Sequence, residues 1–546
     1  MVVSLFKRLY TKSFILSFGL FLIAFYIFSG CSDDKREYSG VISAGSPEAV
    51  SAGLEILEQG GNAVDASIAV AFALAVTEPA QSGLGGQAQF LIYKQGEDPV
   101  IINGTSFSPS FLPKNISKED LVKHRATTTP SLVKLLGYLW KNYSAEISWD
   151  DLLTPAIQFA EEGFPLTKFR YKVLEYKSDE LRDDSVTKKL FLNEDGSVIG
   201  KDIYWKQPVL AKTLKLLAEN GAEDFYTGNI AKMFAEDMKN NNGWITTNDL
   251  RNIPEPNEQK PLRGTYRGYE IYTMPPPGGG WVIIQALNIL EQYPSEELKL
   301  DSNNRLKLIA MALQIAHQSR SEEPIENLIN YQEDVKLKIS KEEAIKLINN
   351  SSGGETTHFS VVDKDGMVVS ATLSINNYFG SKSASAELGF LYNDYMNEFK
   401  INEPEHPFNL GPNSMPYSSM TPTILTKDGK PVLAIGSPGS ERIISAIVQV
   451  ISLWIDAGLN IEDAVAYPRI HVTPDSIFYL ESSSFSNKEI SILREAGFEF
   501  DTPPSDILIN NLNPYFGGIH AVAFEDDRWK GATDPRRDGA VDYEIK

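Results

Sequence analysis

"NNSSGGETTHFSVVDKDGMVVSAT", residues 349–372, is the stretch on which the fold turns. A soft polar run, NNSSGGE, meets Thr356 and Thr357. Behind them, HFSVVDKDGMVVSAT predicts a β-hairpin turning at DKDG. A loop with the composition of a cleavable linker thus ends on a threonine at the head of a strand. A hydroxyl is a weak nucleophile unless a base takes its proton. If the Glu355–Thr356 bond is cut, Thr356 gains a free α-amine. The pKa of such an amine is roughly 7.7–8, far below that of a lysine. It can act as base for the threonine's own Oγ1, directly or through one water. One residue then carries nucleophile and base together. The plainer reading of the segment is a surface loop leading into a hairpin.

The rest of the chain narrows the choice. Its 546 residues are ample for a large core. The composition is globular, 42% hydrophobic and 23% charged, with a net charge of −21. That balance argues against a nucleic-acid partner, which calls for clustered Lys and Arg. The six histidines fall at 124, 317, 358, 406, 471 and 520, none at ligand spacing, so no metal and no cofactor are expected. Residues 1–30 carry a basic start (Lys7, Arg8, Lys12), the apolar run FILSFGLFLIAFYIF and small Ser29 and Gly30. The run is short of the ~20 residues of a spanning helix, and it precedes Cys31, the one cysteine in the chain. This pattern resembles a bacterial lipoprotein signal, 1–30, with Cys31 lipidated and 31–39 a tether. The expected location is outside the cytoplasm, anchored to a membrane by lipid.

Beyond the tether, strands and helices mix. LEILEQGGNAVDASIAVAFALAVTEP predicts a helix, a Gly-Gly stop, and a buried helix capped by Asn62 with Asp65 in its first turn. QFLIYK and PVIING predict strands. Helices are expected at SLVKLLGYLWKNY, at SWDDLLTPAIQFAEEG, over 208–220 and 226–240, and through 304–350. After Thr356 hairpins dominate, including TPTILTKDGKPVLAIGS. Mixed elements on both sides of Thr356 argue for layered sheets covered by helices, an α+β class. Other chemistries fail on context. GLGGQA (83–88) follows a helix and not a strand, so a close-packed turn is the better reading than a dinucleotide loop. GGGW (278–281) lacks a P-loop lysine. No G-x-S-x-G and no H-E-x-x-H occurs. Thr356 is left as the best candidate nucleophile.

Six motifs then resemble, in order, those of the gamma-glutamyltransferase family, also known as glutathione hydrolases: LEQGGNAVDASIAVAFALAVTEP, MPPPGGGWVIIQALNILE, TTHFSVVDKDG, PYSSMTPTI, GSPGSERI and GATDPRRDGA. The resemblance runs from about Gly40 to the C-terminus. It implies an N-terminal-nucleophile hydrolase fold, a four-layer αββα sandwich. It also implies self-cleavage before Thr356 into a large chain, 40–355, and a small chain, 356–546, that stay together as a heterodimer. By the same resemblance Thr356 is the nucleophile, and Ser374 stands for a threonine whose hydroxyl orients it. Asn376 matches a contact to the donor's α-amino group. Ser418 and Ser419 match the pair that binds the α-carboxylate. Gly439 and Ser440 match two glycines whose N–H groups form the oxyanion hole.

Three departures bear on substrate. The family holds the α-carboxylate with an arginine after an early strand; NGTSFSP puts Thr105 there, exchanging a charge-assisted contact for a hydroxyl. NDYMNEF puts Tyr395 where the family has Gln or Glu, and Glu398 where it has Asp. The stretch KINEPEHPFNLGPNSMPYSS (400–419) implies a reduced lid. The expected enzyme transfers or hydrolyses the γ-glutamyl group of glutathione and related amides. The alternatives left open are an acylase of the same family acting on another amide, and an uncleaved lipoprotein using the fold to bind.

Overall fold

The hairpin after Thr356 lies at the centre of the architecture. In the computed structural model, which describes residues 38–201, 203–344, 356–473, 477–481 and 485–545, Thr357–Val362 pairs antiparallel with Val368–Ser374, Thr357 opposite Leu373 and Val362 opposite Val368. Cys31 and Glu355 lie outside the described residues. At the turn, Asp363 Oδ1 accepts the N–H groups of Asp365 and Met367 at 2.9 and 3.0 Å. Gly366 follows at φ 79°, a conformation open to glycine at little cost.

Strands from the other side of the proposed cut flank this hairpin. Tyr38–Ala44 pairs with Thr357–Val362, and Gln87–Tyr93 pairs with Val368–Ser374. Val100–Gly104 continues the sheet. The second sheet likewise joins Leu262–Tyr266 and Tyr269–Thr273 to Thr423–Lys427, Lys430–Gly436, His520–Glu525 and Arg528–Thr533. Both sheets are therefore built from segments on both sides of Thr356. Residues 40–544 form one compact unit.

Strand alternation sorts the hairpin's side chains into layers. Phe359, Val361, Ala371 and Leu373 join the core under the helices Pro47–Glu58, Ala63–Thr77, Leu132–Tyr143 and Trp149–Glu162. Every residue of Ala63–Thr77 is buried. The second sheet has its own core with Gly280–Leu290, Arg305–Glu322 and Arg442–Ile455. His358, Ser360 and Val362 face the opposite way, between the sheets. Val362 lies in a small apolar cluster with Ile424, Ala434 and Val522. Toward Thr356 the same face turns polar: Ser360 Oγ donates to His520 O, and Ser370 Oγ to Ile435 O. The result is the α+β four-layer sandwich expected for an N-terminal-nucleophile hydrolase.

Local signals explain most elements. Asn62 caps its helix in a full capping box with Asp65. Two expectations need revision. The helix expected over 226–240 is two, Asp224–Thr227 and Asn229–Asn240. Asp224 accepts the N–H groups of Asn229 and Ile230, capping the second, and sits where a side chain at Gly228 would point. The long helix expected over 304–350 ends at Glu322, and among the described residues of that span only Gln332–Lys338 and Lys341–Ala344 follow. Pro324 cannot donate into a continuing ladder, and Ile325 turns into the core. Among the described residues no three metal-ligating side chains converge. No helix among them is long and apolar enough to cross a membrane.

Candidate active site

Strand register assembles the centre of the site. The ladder sets Thr372 opposite His358 and ends with Thr357 opposite Leu373, so Thr356 and Ser374 are the next residues of the two segments. Residues directly opposite in an antiparallel pair share a face with Cβ atoms about 5 Å apart. Ser374 is in turn opposite Gln87. Ser374 and Gln87 thus form one row across two strands, and Thr356, one residue before the ladder, is only 3% exposed. Ser374 Oγ accepts the N–H of Asn376 at 2.8 Å. Asn376 adopts φ 75°, a left-handed turn that asparagine tolerates. A Cβ on Gly86 would strike the Ser374 carbonyl oxygen, and one on Gly85 the Leu391 carbonyl. The Gly-rich turn at 83–88 is the close-packed turn expected, and it holds Ser374 from behind.

The left-handed turn carries Asn376 to Glu398. Asn376 Nδ2 donates to Glu398 Oε1 at 2.9 Å. Burial raises the Glu398 carboxyl to about 7, against the lowering effect of the Asn376 hydrogen bond; Asp394 raises it further, and Lys118 and Arg320 pull it down. Tyr395 is buried with its hydroxyl against Ser374 and Gln87. It lines the floor of the site and offers no charge.

Ser418 and Ser419 lie on the far side, and here a residue the sequence did not single out appears. Arg320, on the last turn of Arg305–Glu322, donates from Nη1 to Ser419 Oγ at 3.0 Å and from Nη2 to Ser418 O at 2.6 Å. Its guanidinium stacks on Tyr417, 4.2 Å from the ring centroid. It is buried, and among the described residues no carboxylate pairs with it. A charged residue ending an apolar helical face was its only signal in the sequence. Thr105 is placed differently from the others. Its hydroxyl donates to Asn103 Oδ1 at 2.7 Å, and Gln89 reaches it from the other side. The hydroxyl is occupied by its own sheet rim and is not turned to the serine pair. Arg125, a conceivable substitute, pairs with Asp120.

Gly439 and Ser440 precede Arg442–Ile455, at the positive end of that helix. Neither backbone N–H has an acceptor among the described residues. The turn is braced from below. Ser437 Oγ accepts the N–H of Gly518, and Arg537, in the C-terminal GATDPRRDGA stretch, donates to Gly517 O at 3.2 Å. Arg537 also donates to Gln81, whose carbonyl accepts the N–H of Ile375. One buried arginine therefore ties the turn that follows Ser437 to the segment that carries Ser374. The stretch 400–416 is pinned to the rim segment at Ser108, which donates to Gly411 O and accepts from Ser414.

His358 lies directly beneath Thr356. It bonds Thr372 and Ser360, and burial holds its pKa well below the usual value. It is a neutral structural group on the inter-sheet face. No side-chain base therefore takes the place of an amine at Thr356 from this direction.

Comparison with known proteins bears on the family and the fold. The model of the gamma-glutamyltranspeptidase family matches residues 49–543. The chain is 34% identical over 475 residues to the glutathione hydrolase proenzyme of Escherichia coli (strain K12), covering 80% of this chain and 81% of that protein. It is 31% identical to the acylase ACY 1 proenzyme of Pseudomonas sp. (strain V22), covering 92% of each. Among solved structures, a cephalosporin acylase from Bacillus halodurans superposes with a TM-score of 0.82 at 26% identity, covering 92% of this chain and 96% of that one.

Proposed function

The chain belongs to the gamma-glutamyltranspeptidase family, and from that premise we propose a residue-level mechanism for it. It is a self-processing amidohydrolase of the gamma-glutamyltransferase and glutathione hydrolase type. Scission of Glu355–Thr356 frees the Thr356 amine. That amine takes the proton of Oγ1, directly or through one water, as Oγ1 attacks the donor carbonyl. Ser374, which accepts from Asn376, is assigned by the family resemblance as the hydroxyl that orients Thr356. The N–H groups of Gly439 and Ser440 hold the developing oxyanion. The amine leaving group departs with the proton, and water or an amine acceptor releases the acyl group from Thr356.

The observation that supports a γ-glutamyl donor is a pair of opposite poles. Asn376 and Glu398 form an acceptor for an ammonium. Ser418 and Ser419, backed by Arg320, form a donor set for a carboxylate. Arg320 is close enough for its field to act on the Glu398 carboxyl. A zwitterionic amino-acid head fits between two such poles, and Arg320 supplies the positive charge that Thr105 lacks. The acylase reading is favoured by Thr105 standing where the family has an arginine.

A donor series separates the readings. The γ-glutamyl anilide should turn over at least tenfold better in kcat/KM than the glutaryl anilide, which lacks the amine. The reverse order would assign an acylase. Thr356→Ala should give one uncut chain without turnover; a wild-type protein lacking a fragment that begins at Thr356 would sink the mechanism, and one band on a denaturing gel would favour the binding-protein alternative. We further propose that Cys31 is the lipid-bearing residue of a membrane-anchored, exported enzyme. Its support is the signal pattern in residues 1–30. Cys31→Ser should abolish lipid labelling and leave the signal uncleaved, and an unlipidated wild-type protein would overturn this proposal.

A further inference from the structure

Ser440 carries two costs at one position. Its φ is 62°, in the left-handed region where a Cβ is strained. Its hydroxyl is buried, the residue 2% exposed, and has no hydrogen-bond partner among the described residues. A glycine would remove both penalties and keep the backbone N–H. Buried unpaired hydroxyls are uncommon because the lost water contacts are not replaced.

The surrounding contacts say where the hydroxyl lies. Lys430–Gly436 crosses the hairpin in a definite direction. Ile435 O meets Ser370, which is opposite Ser360. One residue on, a Cβ at Gly436 would strike His358, opposite Thr372. Each step moves one row closer to Thr356 and Ser374. Gly436 is thus toward the Thr356 end of the inter-sheet face, and the turn at 437–440 that bears Ser440 leaves from there. The unpaired N–H groups of Gly439 and Ser440 are on the same turn.

We propose that the Ser440 hydroxyl is a third donor of the oxyanion hole, a catalytic group in contact with the carbonyl oxygen of the amide under attack. The proposal rests on Thr356 being the nucleophile. As Thr356 Oγ1 bonds to the carbonyl carbon, the C=O π pair moves onto oxygen and the Oγ1 proton passes to the Thr356 amine. The oxyanion accepts from two N–H groups and one O–H. When the pair returns, the C–N bond breaks and the amine leaves with the proton. When water attacks the acyl-enzyme and gives a proton to the Thr356 amine, the oxyanion formed on the acyl carbonyl meets the same three donors. The resting hydroxyl is unpaired because its partner exists only while the carbonyl is bound, which is where a donor lowers the barrier.

The test compares Ser440→Gly and Ser440→Ala in the full chain, with turnover expressed per cleaved chain on a γ-glutamyl anilide. Both variants lose the hydroxyl; Ala retains the strained Cβ and Gly does not. Both should lower kcat by about 10- to 100-fold with KM nearly unchanged, below the roughly 10²- to 10³-fold loss for one side-chain oxyanion donor because the two N–H donors remain. Ser440→Gly should melt at the same or a higher temperature than the parent. Wild-type kcat in both variants, or a fall in Ala alone, would overturn the proposal. A lower melting temperature in Ser440→Gly would show a structural hydroxyl and overturn it equally. Thr356→Ala is run alongside. If it is inactive while the Ser440 variants turn over normally, only the hydroxyl's role fails; if it still turns over, the nucleophile assignment fails as well.

Discussion

Glu398 gives the site a pH signature. Its carboxyl lies near 7, raised chiefly by burial, with Asp394 raising it further and Lys118 and Arg320 opposing. A donor ammonium pairs with the ionised form only. As pH rises from about 6 to about 8, the ionised fraction of a group at about 7 grows about tenfold. KM for a γ-glutamyl donor should fall by about that factor, and the glutaryl donor should show no such trend. Glu398→Gln should flatten the profile; an unchanged profile in that variant removes Glu398 from the amine subsite. Arg320 is tested by the opposite group. Arg320→Gln should raise KM for both donors, since a hydrogen bond to a charged group is worth about 1.5–3 kcal/mol, roughly ten- to a hundredfold. A KM unmoved in Arg320→Gln would leave the serine pair acting alone. At this scale the sequence was only partly legible. Thr356, Ser374 and Asn376 are legible because they lie within one hairpin and its exit. Arg320 was not, because helix periodicity says which face is buried and not what that face touches.

Elements set these residues by close approach. Strand Lys430–Gly436 passes so near the hairpin that a Cβ at Gly436 would occupy the His358 ring. Gly436→Ala should therefore destabilise by about 1–3 kcal/mol as an overpacked core site and slow scission before Thr356. Thermal denaturation and the half-time of precursor cleavage check this; if neither moves, the crossing is looser than described. The elements themselves were readable where caps and periodicity agreed, as at Asn62 and along Ala63–Thr77. They were misread where a polar, helix-prone composition concealed a stop, as after Glu322. Asp224 shows the same limit: a carboxylate that caps a helix five residues later splits an element that its composition would join.

At the scale of the molecule, the boundary before Thr356 passes through the middle of both sheets. Thr357–Val362 has Tyr38–Ala44 on one side and, beyond Val368–Ser374, Gln87–Tyr93 on the other. Separating the pieces would expose four ladders and two cores. After scission they should co-elute in native gel filtration and part only in denaturant; free small chain under native conditions would contradict this topology. Such a cut also changes the order of the folding reaction. The intact precursor folds as one tethered chain, and its pairing across Thr356 is a loop closure whose cost grows slowly with length. Once cut, the same pairing needs an encounter between two molecules. Thr356→Ala precursor unfolded in urea should refold at a rate independent of protein concentration, and the processed enzyme at a rate that falls on dilution. The mature enzyme is in that sense a product that remembers a route no longer open to it, and its working lifetime is set by how slowly the sheets open.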